Sequence, residues 1–177
     1  VGPALSSLHR LGIPTLLTPD LYPMEDGSLR FSLMPNRDRP GSDLNRAIHD
    51  RKFASYAAEL FQAAGDSPEV AKSNAQRAAQ AAFELAGADC SFKFDPNTRT
   101  HEVRLQKMGE LDPALGWSAY QTPTDVLMTC PRHLESLSER LRQVPLEDLK
   151  QFLRYSVVSQ LAPDLTSEVG EAHDRSN

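Results

Sequence analysis

Two stretches of helical periodicity lie back to back between Phe53 and Ala86, with only Gly65, Asp66 and Ser67 to turn the chain between them. No other feature constrains the fold as much. In the first stretch Phe53, Tyr56, Ala57, Leu60, Phe61 and Ala64 recur at the three- and four-residue spacing that gathers side chains on one face of a helix. Ser42 is placed to cap its start and Gly65 to end it. In the second, the capping residue Ser67 precedes Pro68, whose missing N–H costs nothing in a first turn. Val70, Ala71, Ala75, Ala78, Ala79, Ala82, Phe83 and Ala86 then form a narrow stripe of small side chains, closed by Gly87. Alanine on that face lets a neighbouring helix come close, and so short a turn makes that neighbour the preceding helix, antiparallel to it. A helical hairpin is expected.

The remaining punctuation sets out shorter elements. Residues 3–11 read as the last turns of a helix, stopped by Gly12 and then Pro14. Prolines at 19, 23, 35 and 40 make 15–41 a loop, in which only Leu29, Phe31 and Leu33 alternate with Arg30 and Ser32 as a half-buried strand does. Thr100 is placed to cap a short helix reaching about Met108, with Glu102 near its positive end, before Asp112-Pro113 and Gly116 break it. Val126-Leu127-Met128, between Pro123 and Pro131, reads as a second strand, able to join the first in a small two-stranded element. Pro131 opens a helix carrying Leu134, Leu137 and Leu141. Pro145 opens another with Leu149, Phe152, Leu153, Ser156, Val157 and Leu161, and Pro163 stops it. Glu147 and Asp148 in its first turn and Arg154 further along agree with the helix dipole. The expected fold class is mainly α: a helical hairpin and amphipathic helices packed as a lobe, with one or two short β-strands.

A chain of 177 residues, 40% hydrophobic and 24% charged, has globular composition and the length of one ordinary domain. Nineteen basic against 24 acidic side chains leave a net charge of −5, and no Lys/Arg block forms a phosphate-binding stripe, so nucleic acid is not expected as a partner. Apolar runs such as Leu16-Leu17 and Val126-Leu127-Met128 fall far short of the roughly 20 residues of a bilayer-spanning helix. Cys90 and Cys130 are too far apart for a local Cys-x-x-Cys site and leave two readings, two thiols or one bridge, so the compartment stays undecided. Beginning Val-Gly-Pro without a leader, and turning polar after Thr166, the sequence reads as a fragment of a larger protein.

Few residues invite chemistry. A zinc-protease helix carries two histidines four apart with glutamate between them, but His9, His49, His101, His133 and His173 are scattered and none lies within two helical turns of another. They read as surface or structural residues. Neither a Gly-x-Ser-x-Gly nucleophile turn nor a Gly-x-x-x-x-Gly-Lys phosphate loop occurs. Cys90 and Cys130 would need a nearby base to act as nucleophiles, and read instead as small apolar side chains; the three-residue interval from Cys130 to His133 recurs by chance. The acidic pairs Glu25-Asp26 and Glu147-Asp148 suit a turn and a helix start better than general acid–base work. Trp117 and Tyr120, one turn apart beside Leu115, read as a core contact rather than a recognition surface. No catalytic, metal or cofactor residue is assigned.

The order of segments carries a resemblance. Leu11-Gly12-Ile13-Pro14, Pro35-Asn36-Arg37-Asp38, the helix from Tyr56 to Ala64-Gly65, Glu110-Leu111-Asp112-Pro113 leading to Trp117-Ser118-Ala119-Tyr120, the strand entering Pro131, and Pro145-Leu146-Glu147-Asp148-Leu149-Lys150 leading to Leu153-Arg154-Tyr155 follow one another across most of the chain. Each is common alone; their co-linear order is restrictive. In that order they resemble the region preceding the catalytic core in the neprilysin and endothelin-converting-enzyme family of zinc endopeptidases. One departure is Phe31-Ser32-Leu33-Met34, where that family commonly has a glycine-rich stretch. The resemblance implies a parent that hydrolyses peptides with one zinc ion, held by a His-Glu-x-x-His helix and a downstream glutamate. Those motifs have no matching position in this chain, so its own residues are expected to hold no cofactor. It also implies helical lobes enclosing the active-site chamber, the catalytic region of the same polypeptide as partner, peptides as substrates, and an extracytoplasmic or cell-surface parent. The other reading of the apolar stripes is a free-standing helical domain that binds partner proteins.

Overall fold

A computed structural model of the chain describes residues 1–13, 15–24, 26–35, 52–86, 104–107, 111, 113–116, 125–128, 131–164 and 170–171. In chain order the elements are helix α1 (Gly2–Arg10), strands β1 (Leu17–Pro23) and β2 (Leu29–Pro35), and helices α2 (Lys52–Ala63) and α3 (Pro68–Ala86). Strands β3 (Arg104–Lys107) and β4 (Asp125–Met128) and helices α4 (Pro131–Gln143) and α5 (Leu146–Leu161) follow, with single 3-10 turns at Pro113–Leu115 and Ala162–Asp164. Helix predominates, and the chain is mainly α. Two compact units divide it, each drawing on two stretches of sequence: Val1–Arg37 with Ala88–Arg142, and Asp38–Gly87 with Gln143–Asn177.

The second unit contains the helical hairpin. α2 ends in a left-handed glycine, Gly65 at φ 102°, with the N–H of Asp66 donating back to the Phe61 carbonyl (3.0 Å) and that of Gly65 to Gln62 (2.9 Å). This doubly bonded stop satisfies carbonyls that the end of the helix would otherwise leave orphaned. Ser67 then accepts from the Val70 N–H (3.4 Å), and Pro68 is the first residue of α3, as the sequence implied. Phe53, Ala57, Leu60 and Phe61 of α2 are buried, together with Ala71, Ala75, Ala78, Ala81, Ala82 and Leu85 of α3. The buried line on α3 is narrower than the stripe expected from the sequence. Val70 and Phe83, on opposite flanks of that line, are exposed at 48% and 58%.

α5 packs against both helices of the hairpin, giving a three-helix unit. Its buried residues are Leu149, Phe152 and Tyr155. Leu153, Ser156 and Val157 are only half-buried and Leu161 is exposed, so the inward face is rotated toward Tyr155 relative to the expected stripe. An aromatic cluster accounts for the rotation. The Tyr155 ring meets Phe53 edge-on at 4.6 Å and Tyr56 at 6.0 Å, arrangements that place ring edges against ring faces. The proposed Ser42 cap of α2 lies outside the described residues.

The first unit is built on a four-stranded sheet in the order β1-β2-β4-β3. The two strands expected from the sequence are its centre: β2 and β4 pair in parallel, Ser32 opposite Leu127 and Leu33 opposite Met128. Ser32 with Leu33, and Val126 with Leu127, are buried as consecutive residues, so both faces of these strands are covered. The sheet reaches further than expected because an edge strand is added on each side. β1 pairs antiparallel with β2, from Leu17 opposite Pro35 to Pro23 opposite Leu29. Pro19 and Pro23, which read as loop, are accommodated because an edge strand has one side with no ladder bond to lose. Toward the hairpin turn Leu29 is 63% exposed and Phe31 half-buried, so the alternation in β2 is buried only at its Leu33 end.

The helix expected before Met108 is replaced by β3, which pairs antiparallel with β4 from Arg104–Met128 to Lys107–Asp125. Val103-Arg104-Leu105-Gln106-Lys107 alternates with a period of two, and pairing with a neighbouring strand outweighs a lone capping signal. Thr100 and Glu102 lie outside the described residues. Leu134, Leu137 and Leu141 of α4 are buried as their spacing predicts.

α1 rests on the Pro113–Leu115 turn through two glycines. A Cβ on Gly2 would lie 2.4 Å from the Pro113 carbonyl oxygen, and one on Gly116 would lie 2.5 Å from Leu5 Cβ and 2.8 Å from the Ser6 nitrogen. Only residues without a side chain permit so close an approach. Gly12, at φ 72°, ends α1 where expected, its N–H donating to the His9 carbonyl at 3.0 Å.

Candidate functional site

The residues singled out for possible chemistry occupy structural positions wherever they are described. His9 is buried on α1 against the Gly116 backbone; burial pushes its pKa below the ordinary value, opposed by the hydrogen bond with that backbone. Its imidazole is a buried packing group of α1. His49, His101 and His173, Cys90 and Cys130, Glu25, and Trp117 with Tyr120 lie outside the described residues, and His133 is placed only as a backbone position in α4.

Of the acidic pairs, Asp26 stands in a turn and Glu147 and Asp148 at a helix start, as read from the sequence. Asp26 stands in the β1–β2 turn, accepting from the Ser28 hydroxyl (2.6 Å) and the Ser28 N–H (2.9 Å), and these bonds hold its carboxyl below the usual range. Glu147 and Asp148 open α5. Lys150 donates to Glu147 at 2.6 Å, lowering that carboxyl, and Arg77 of α3 donates to Asp148 at 3.1 Å.

The strongest polar constellation is one that the sequence did not single out. Asp66, in the turn between α2 and α3, accepts a two-pronged contact from Arg154 of α5: Nη1 to Oδ2 at 2.6 Å and Nη2 to Oδ1 at 2.8 Å. Asn74 of α3 donates to the same Oδ2 at 3.0 Å. The guanidinium also lies over the Phe61 ring, 4.7 Å from its centroid. Local sequence reads Arg154 through the dipole of its own helix, but its partner stands 88 residues away, at a separation no spacing rule reaches. The Arg154 hydrogen bonds drive the Asp66 carboxyl below its ordinary pKa and raise that of Arg154, so both groups stay charged.

This arrangement ties the α2–α3 turn and α3 to α5. Both carboxylate oxygens are engaged, Oδ1 by Arg154 and Oδ2 by Arg154 and Asn74. Tyr155 of α5 is buried. Burial, and then the neighbouring Tyr56, push its hydroxyl well above the ordinary range, against a hydrogen bond with Ser159. Among the described residues no group of three His, Cys, Asp or Glu side chains is placed to hold a metal ion. No described helix is long and apolar enough to cross a membrane.

Comparison with known proteins supplies the functional context. The family model for peptidase family M13 matches residues 7–177. Among solved structures the chain is similar to the zinc metalloprotease Zmp1 of Mycobacterium tuberculosis, captured in an open state, with 18% sequence identity and a TM-score of 0.71. That similarity covers 99% of this chain and 30% of the Zmp1 chain, and at such low identity it speaks for the fold. No match was found among curated protein sequences.

Proposed function

The chain belongs to peptidase family M13, the neprilysin and endothelin-converting-enzyme family of zinc metalloendopeptidases, as part of its N-terminal region, and from that premise we propose that it is a non-catalytic, architectural part of such an enzyme. In this reading its helices help to enclose the chamber in which the parent hydrolyses peptides. The zinc ligands and the general base come from the rest of the polypeptide, which packs against this part as its partner, and the parent works outside the cytoplasm. The observation that carries the proposal is the match over residues 7–177 of a chain whose five histidines include no pair at zinc-binding spacing. The chain spans 30% of the length of the solved relative, leaving ample polypeptide in a protein of that size for the catalytic machinery.

The test uses the parent enzyme with and without Leu60→Asp, which places a charge at a position with no solvent exposure in the three-helix unit. An architectural role predicts that zinc stays at one per enzyme molecule, while the limit on the length of cleavable peptides relaxes or peptide turnover falls. Loss of zinc in a variant that remains folded by circular dichroism would place this region in the metal site and overturn the proposal.

A further inference from the structure

We draw no further inference here: the strongest candidate, the apolar face of the β1–β2 hairpin on which Leu21 and Leu29 stand 58% and 63% exposed, is an exposed surface patch, and nothing in the structure shows what covers it.

Discussion

A single methyl group tests how α1 is held. Gly116→Ala would drive a Cβ to 2.5 Å from Leu5 Cβ at a backbone φ of 74°, combining overpacking with a left-handed conformation that L side chains resist. A loss of about 2–4 kcal/mol is expected. Gly12→Ala supplies the control, because its φ is 72° but no atom lies within 4 Å of the added carbon. Only the backbone cost of about 1–2 kcal/mol applies there. Urea unfolding of both variants measures the difference, and equal losses would contradict the close approach of α1 to the turn.

The Asp66–Arg154 contact makes a pH-dependent prediction. Asp66 ionises more readily folded than unfolded, so its contribution is fully present above the unfolded value of about 4 and is lost as pH falls through the lower folded value. Asp66→Asn should cost about 1–2 kcal/mol at pH 7, a range kept modest because the Arg154 side chain is 34% exposed. The gap between variant and unmodified chain should narrow as the pH is taken below about 4. A gap that persists unchanged into acid would mean that the charge on Asp66 is not what stabilises the contact.

At the scale of elements, α3 depends on the smallness of its buried face. Ala75 and Ala78 have no solvent exposure, so Ala78→Leu forces extra methylenes between close-packed helices and should cost about 1–3 kcal/mol. Phe83→Ala, although it removes a far larger side chain, should stay within about 0.5 kcal/mol because that ring is 58% exposed. Thermal denaturation of the two variants checks the ordering, and the reverse ordering would move the interface to the other side of α3.

Which elements were legible follows from the range of the forces that make them. α2, α3, α4 and α5 are visible in the sequence because helix stops, caps and apolar faces are all set within a few residues: Gly65, Ser67-Pro68, Pro131 and Pro145 each stand at a boundary. β1 and β3 were not, since an edge strand exists only by virtue of its neighbour. The prolines of β1 read locally as breaks, and the four residues of β3 carry too short a period to outweigh a capping threonine. Long-range chemistry was hidden for the same reason. Nothing beside Asp66 or Arg154 announces the other, whereas the turn position of Asp26 and the helix-start position of Glu147, whose partners Ser28 and Lys150 lie within three residues, could be read directly.

For the whole molecule, the interleaving of the two units matters most. Each takes an early and a late stretch of sequence, so neither can be cut away as one continuous segment. The co-linear order of short segments points to the family, and the match over residues 7–177 establishes it. The described residues form an alanine-lined helical hairpin fastened to α5 by an aromatic cluster and an ion pair, and a helix seated on a turn through two glycines.

Metal content decides whether the chain is architectural. The purified 177-residue chain, equilibrated with zinc, dialysed and assayed against an unstructured peptide, is predicted to retain no stoichiometric zinc and to leave the peptide intact. One tightly held zinc per chain, accompanied by cleavage that a chelator abolishes, would contradict the account.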